Sequence, residues 1–297
     1  MPTSPATLPK PASGKTDQYR RPTEGPGVNF GRVLKSEWIK ISTVRSSVIL
    51  IISTVIVMVG LAALGAWSFA TLAQSDAEMS AEFQIPLDGP GSAAVMALTV
   101  PSSGLTFGQL TIASLAVVLI ASEWTTGMIR STLVAVPKRT PALLAKTVIV
   151  AGIAFLVGLA SALASYLIAQ PVLASANIDF ALTEDGVLAS IINTGTFLAL
   201  VAVISMSIGI LLRNSAGGIV TAVAVFFVLP LIGELLSGLA DWVPDAVRFL
   251  PGTAGLQMVA VTASEEALSR WEGGLVMGAW ALLLLVIALL VAKKRDV

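Results

Sequence analysis

Residues Ser47–Trp67 read SVILIISTVIVMVGLAALGAW, an apolar run without a single charged side chain. A helix needs roughly 20 such residues to cross the hydrocarbon layer of a bilayer. Five later stretches are similar in length or longer: Gly104–Ser122, Pro141–Gln170, Ile191–Leu212, Gly217–Ser237 and Gly273–Ala292. We therefore expect an all-α membrane protein with six transmembrane helices, forming one domain over 47–297.

The positions of lysine and arginine orient these spans. Sixteen of the 18 basic residues lie before the first span, between Glu123 and Lys146, at Arg213 after the fourth span, or after the sixth. Only Arg248 and Arg270 lie in the alternate segments. Because cytoplasmic loops carry the excess of basic residues, this pattern predicts a multi-pass protein of the cytoplasmic (inner or plasma) membrane with both termini in the cytoplasm.

Composition excludes several functions. Hydrophobic residues make up 55% of the chain and charged residues 12%, far from the averages for soluble domains. The net charge of zero gives no bulk attraction for nucleic acid, so we expect no nucleic-acid partner. The chain has neither cysteine nor histidine, which removes the usual zinc sites, His- or Cys-ligated haem, Ser–His catalysis and disulfides. We expect no enzyme activity and no cofactor or metal bound by this chain.

The first residues, 1–27, are rich in Pro, Gly, Ser and Thr, and we expect a disordered cytoplasmic tail. Within it, Ser13-Gly14-Lys15-Thr16 resembles the end of a phosphate-binding loop. That motif requires a glycine five residues before Gly14, where this chain has Pro9, and it requires a preceding strand. The sequence therefore predicts no nucleotide binding by this chain.

Segment 28–46 has the periodicity of an amphipathic helix. At about 100° per residue, one stripe collects Phe30, Val33, Leu34, Trp38, Ile41 and Val44. An aromatic anchor with flanking basic residues beside a span is typical of a helix in the inner membrane interface, with Lys40 snorkelling at its edge. Glu37 lies near the middle of the stripe, and two interpretations are open: it pairs with Lys40 at i,i+3, or it turns toward another protein surface. We take Phe30, Leu34, Glu37, Trp38 and Lys40 as functional candidates.

The three predicted outer segments are 68–103, 171–190 and 238–272. They contain twelve carboxylates and two basic residues. The last is long, precedes the sixth span and carries Trp242 and Trp271 among short helical pieces. Tryptophan is enriched at the headgroup level of membranes, so we favour interfacial anchoring over ligand contact for both.

The loop between spans two and three, Ser122–Arg139, reads SEWTTGMIRSTLVAVPKR. Gly127 predicts a break after span two, Met128–Val136 can form a short helix along the membrane surface, and Pro137 ends it. Its apolar side chains alternate with threonine and arginine, as in a docking element. Glu123 at the end of span two opposes the helix dipole, so we expect it to pair with Lys146 or Arg130; the alternative is a carboxylate in interfacial water.

This loop resembles the first cytoplasmic loop of the membrane-spanning subunits of type-2 ABC exporters. The shared pattern is Glu-x-x-x-Gly-x-Ile/Met-Arg/Lys leading to a proline and basic residues. Residues Arg32–Arg45, with Ser36-Glu37-Trp38-Ile39-Lys40, resemble the connecting helix of actinobacterial members. The whole layout is also similar: interfacial helix, six spans, a coupling loop after span two and a long outer segment before span six. The resemblance assigns ATPase docking to these residues: Glu123, Thr126, Gly127, Met128, Ile129, Arg130, Pro137 and Arg139.

The resemblance implies a permease subunit that pairs with a second permease subunit in the membrane lipid. Two copies of a cytoplasmic ABC ATPase, which bind ATP and Mg, supply the energy. The substrate would be amphipathic or hydrophobic, such as a drug, lipid, peptide or antibiotic. The alternative is a non-transporting scaffold or immunity protein that sequesters a peptide or lipid. An ion-coupled carrier is disfavoured because the spans hold very few ionisable groups.

Overall fold

The computed structural model describes residues 30–83, 92–128, 139–238, 240, 242–261 and 267–294. Within these ranges all regular elements are helical and there is no β-strand. Six helices are long and apolar enough to cross a membrane, so the predicted fold class is confirmed. The predicted tail, 1–27, lies outside the described residues.

The described helices overlap all six predicted spans. Helix α2 continues to Phe83, well past the predicted end of span one at Trp67. In chain order the helices are α1 (Phe30–Thr43), α2 (Arg45–Phe83), α3 (Ala93–Ala97), α4 (Leu105–Thr125), α5 (Arg139–Ala174), α6 (Val187–Leu212), α7 (Ser215–Val223), α8 (Leu229–Leu236), α9 (Trp242–Val247), α10 (Pro251–Val259) and α11 (Arg270–Lys294).

Two ends of the helix bundle are used as reference below. The α1 end carries α1, the C-terminus of α4, the N-terminus of α5 and the turn between α6 and α7. The far end carries α9, α10, the N-terminus of α6 and the N-terminus of α11.

Helix α6 lies at the centre of the bundle. It packs against α4, α5, α10 and α11, and 67% of its most apolar window is buried, against 17% for α2. Glycines allow α5 and α6 to cross closely: a Cβ added to Gly195 would lie 2.8 Å from the carbonyl oxygen of Phe155. The central helix therefore packs against protein over most of its surface, whereas α2 leaves most of its apolar surface uncovered.

Span five, Ser215–Leu236, is interrupted in its middle. Between α7 and α8, residues Ala224–Val228 form a π-helical turn, and Pro230 follows at the start of α8. Proline has no N–H to donate to the carbonyl of Phe226 four residues earlier, so a regular α-helix cannot continue through this point. The predicted span over 217–237 does not anticipate this interruption.

Helix α1 is amphipathic, as predicted, but the residues of its apolar stripe are not equally buried. The residues buried against the bundle are Val33, Glu37 and Ile41, and α1 packs mainly on α5 and also on α2. Phe30 and Trp38 remain 45% and 49% exposed. The part of the stripe centred on Glu37 therefore packs on the protein, and both aromatic side chains remain about half exposed.

Candidate functional site: a buried ion-pair cluster

Four charged residues meet at the α1 end, and we call them the ion-pair cluster: Glu37, Lys40, Glu123 and Lys146. The Lys146 ammonium (Nζ) lies 2.6 Å from Oε2 of Glu37 and 2.9 Å from Oε1 of Glu123. The Lys40 ammonium lies 2.8 Å from Oε1 of Glu37 and 3.6 Å from Oε1 of Glu123. Each lysine therefore bridges both carboxylates, and the cluster is formally neutral.

The cluster lies inside the protein. The side chains of Glu37, Glu123 and Lys146 are only 2%, 7% and 5% exposed, while that of Lys40 is 33% exposed. Buried charges persist only when they are paired, and removing one partner of a buried pair typically costs about 3–5 kcal/mol. The cluster therefore fastens α1, α4 and α5 to one another.

The two charged residues of α1 are held in their ionised forms. Burial alone raises the pKa of the Glu37 carboxyl, but the charge and hydrogen bonds of Lys146 and Lys40 outweigh this effect and lower the pKa below 4.5. Burial alone lowers the pKa of the Lys40 ammonium, but its contacts with Glu37 and Glu123 raise that pKa above 10.5. Both groups therefore carry their charges throughout the neutral pH range.

Local sequence explains how these residues come together. Glu37 is four residues from both Val33 and Ile41, so all three share the helix face that packs on the bundle. Glu123 occupies the last turn of α4, where the helix dipole disfavours a carboxylate, and two lysines compensate it. Lys146 lies two turns inside α5, where a cation in apolar surroundings requires a partner.

A second contact holds the residue after Glu123. The guanidinium carbon (Cζ) of Arg213 lies 3.9 Å from the centroid of the Trp124 ring, which is cation–π geometry. Arg213 directly follows α6 and adopts a left-handed backbone conformation, with φ 52°. The C-terminus of α4 is thus held by α1 and α5 through Glu123 and by the turn after α6 through Trp124.

The predicted docking residues start at this anchored point. Thr126, Gly127 and Met128 are exposed, and Gly127 has φ 73°, which provides the predicted break after span two. Arg139 is the first residue of α5. Ile129, Arg130 and Pro137 lie outside the described residues, as does the predicted short helix beyond Met128.

The structure brings together three of the predicted candidates: Glu37, Lys40 and Glu123. Of the two cations considered for Glu123, Lys146 is in contact with it, and Arg130 lies outside the described residues. Glu37 pairs with Lys40, as one interpretation expects, and its second oxygen faces Lys146 of the same chain. Phe30, Leu34 and Trp38 do not contribute to the cluster.

Sequence reasoning named Lys146 only as one of two possible partners of Glu123, and it did not identify Trp124 or Arg213 as part of the site. It counted Lys146 with the basic loop, whereas the residue lies inside α5 and is 4% exposed. A signal was present, because a lysine within an apolar helix requires a counter-charge. No comparable pattern marks the Trp124–Arg213 contact, since the two residues are 89 positions apart.

The site is suited to transmitting movement. In the part of the chain that the structure describes, no three His, Cys, Asp or Glu side chains are placed to hold a metal ion. The cluster carboxylates face lysines, and α4 cannot shift without straining its contacts with α1 and α5.

Comparisons with protein-family models and with curated proteins find no match to this chain, so function is inferred from residues and geometry.

Proposed function

We propose that this protein is the membrane permease subunit of an ATP-binding-cassette exporter of the type-2 kind. It moves an amphipathic or hydrophobic substrate across the cytoplasmic membrane. A separate ATPase subunit docks on residues 123–139 and on α1, and it binds and hydrolyses ATP with Mg. The support comes from the six-helix layout, from α1 ahead of span one, and from the sequence pattern of the loop after span two.

The observation that carries this proposal is the ion-pair cluster. It ties the helix end from which the loop leaves to α1 and to α5. A force applied by a partner at Met128 therefore reaches three helices through one set of buried contacts. Coupling between sites requires a differential contact energy of about 1–3 kcal/mol, and buried ion pairs are strong enough to supply it.

The proposal includes an orientation. The α1 end carries the basic excess and faces the cytoplasm, so the ion-pair cluster lies near the inner membrane boundary. A cytoplasmic ATPase then has direct access to Thr126, Gly127 and Met128, which are exposed.

The proposal also includes a second permease subunit in the membrane, either another copy of this chain or a related one. Spans one and five each have only 17% of their most apolar window buried inside the chain. Their uncovered faces provide surface for a partner subunit as well as for lipid.

Affinity purification from the native host tests this function. We expect the chain to co-purify with an ATPase that has Walker motifs, and we expect the double variant Met128→Asp/Ile129→Asp to lose this partner because it places charges in an apolar docking cleft. Trp242→Asp is the matched control, since Trp242 is 69% exposed at the far end; it should retain the ATPase.

Two outcomes would contradict the proposal. One is a wild-type protein that purifies without any ATPase from membranes in which it is folded, as the scaffold or immunity alternative expects. The other is a Met128→Asp/Ile129→Asp variant that binds the ATPase as well as the wild type does.

A further inference from the structure

Arg270, at the far end, is a cation without a carboxylate partner among the described residues. Its Nε donates to the carbonyl of Ala260 at 2.8 Å and its Nη2 donates to the carbonyl of Val261 at 2.7 Å. Among the described residues, no carboxylate lies within 4.0 Å of its guanidinium; Arg248, by contrast, pairs with Asp245 at 3.3 Å. Within the described part of the chain, the positive charge of Arg270 is therefore solvated by carbonyl groups but not neutralised by a carboxylate.

Arg270 lines a groove of about 490 Å³ between the membrane-spanning helices α6 and α11. Within the described part of the chain it is the one charged residue in the lining. The groove is also lined by Asn193, Thr196 and Leu200 of α6 and by Trp271 and Leu275 of α11. Since both helices span the membrane, a groove on their outer surface opens toward lipid.

The dimensions of the groove fit one acyl chain. Its lining on α6 extends from Ala189 to Leu200, a rise of about 16 Å at 1.5 Å per residue. That is roughly half of the 30 Å hydrocarbon thickness of a bilayer, or one leaflet. Trp271 lies at the Arg270 end and is 74% exposed, as expected for a tryptophan at the headgroup level.

We propose that this groove binds one glycerophospholipid of the surrounding membrane. Its phosphate lies on the guanidinium of Arg270, and one acyl chain lies between α6 and α11 against Leu200 and Leu275. Guanidinium suits phosphate because its planar donors match the phosphate oxygens and it keeps its charge at all relevant pH values. Glu184 and Asp185 precede α6, but both are exposed and neither forms an ion pair with Arg270.

The bound phosphate would neutralise a residue that also organises the far end. Arg270 holds the backbone just after α10, so a phosphodiester on its remaining donors stabilises the same arrangement. This site requires only that the chain is embedded in a membrane. Lipid binding at this site does not depend on an ATPase partner, so the lipid proposal can be tested independently of the proposed transport function.

Native mass spectrometry of the purified, delipidated protein tests the proposal. Dioleoyl phosphatidylglycerol is added in one arm, and dioleoylglycerol, which has the same acyl chains without phosphate, in the other. We expect one phosphatidylglycerol per chain to survive activation that removes other lipid, and dioleoylglycerol to be lost. Arg270→Gln should lower retention at least tenfold, whereas Arg248→Gln, which removes a cation that already has a partner, should leave it unchanged.

A second variant separates lipid binding from the structural role of Arg270. Thr196→Trp fills the groove and leaves the hydrogen bonds of Arg270 in place, so it should abolish retention. Leu282→Trp adds the same side chain at a position of α11 that is 64% exposed and outside the groove lining, and it should have no effect. Equal retention of both lipids, unchanged retention in Thr196→Trp, or displacement of the lipid by millimolar inorganic phosphate would overturn the proposal.

Discussion

The two ends of the bundle are joined by different kinds of interaction. At the α1 end, the ion-pair cluster connects α1, α4 and α5 through four charged side chains. At the far end, side chains donate to backbone carbonyls at the end of α10. Ser190 donates to the carbonyl of Val259 at 2.6 Å, and Asn193 donates to that of Met258 at 2.8 Å.

The difference follows from which groups supply hydrogen bonds to the last backbone carbonyls of a helix. At the α1 end, the carbonyls of Ser122 and Trp124 in the last turn of α4 accept from the N–H groups of Thr126 and Gly127, which follow next in the chain. The contacts between helices at this end are therefore made by charged side chains. At the far end, α10 terminates against α6 and α11, and its last carbonyls have no partner within the helix. In surroundings that exclude water, side chains must supply those hydrogen bonds. Removing charge should therefore affect the α1 end much more than the far end.

The largest effect is expected from Lys146→Met. This change leaves two buried carboxylates with only the partly exposed Lys40, and the loss should be about 3–5 kcal/mol in the free energy of unfolding. Thermal unfolding in detergent measures it. The charge-neutral variant Glu123→Gln/Lys146→Met, which leaves Glu37 paired with Lys40, should recover most of the loss, because no buried carboxylate remains without a counter-charge. Unfolding of Lys146→Met at the wild-type temperature would show that the cluster does not stabilise the bundle.

Acid should loosen α1 selectively. Because the pKa of Glu37 in the folded protein lies below 4.5, its ion pairs stabilise the fold above that pH, and this stabilisation is lost as the pH falls through the lowered pKa. The pKa of Lys40 lies above 10.5, so its contribution is present below that value and is lost as the pH rises through the raised pKa. We expect the attachment of α1 to be constant between about pH 5 and 10.

A spin label measures this pH dependence. Placed at Ile39, which is 50% exposed on α1, the label should become more mobile below about pH 4.5. A label at Leu256 of α10 should not respond, because the far end is held by uncharged donors and by an arginine. A rise in mobility at both positions, or a rise at Ile39 between pH 6 and 8, would contradict this assignment.

A smaller effect is expected from Ser190→Ala at the far end. The variant leaves the carbonyl of Val259 without its donor, and hydrogen bonds between membrane helices contribute on average about 0.6 kcal/mol, with a maximum of about 1.7. The change in unfolding free energy should be the same at pH 4 and pH 7. A loss as large as that of Lys146→Met would mean that the two ends do not differ as described.

Most of the helix layout follows from local pattern, and the contacts between helices do not. Apolar length locates all six spans, and helical periodicity locates α1. The helix dipole predicts a cation for Glu123 and leaves two choices, of which Lys146 is the one in contact. The hydrogen bonds of Ser190 and Asn193 join residues 69 and 65 positions apart, and no periodicity encodes such distant pairs. The burial of Glu37 could not be predicted either. The apolar stripe of α1 does not show which of its residues will pack against Lys146 of another helix.

The most direct test of the proposed coupling compares α4 with and without nucleotide in the purified complex with the proposed ATPase. The chain has no cysteine of its own, so a single cysteine at Phe107, which is 51% exposed on α4, reports movement through its rate of reaction with a maleimide. In an otherwise wild-type chain, ATP with vanadate should change this rate. In the charge-neutral variant the ATPase should remain bound and the rate should no longer respond, while Ser190→Ala should respond normally. An undiminished response in the charge-neutral variant would show that the ion-pair cluster does not carry movement from the docking loop into the membrane.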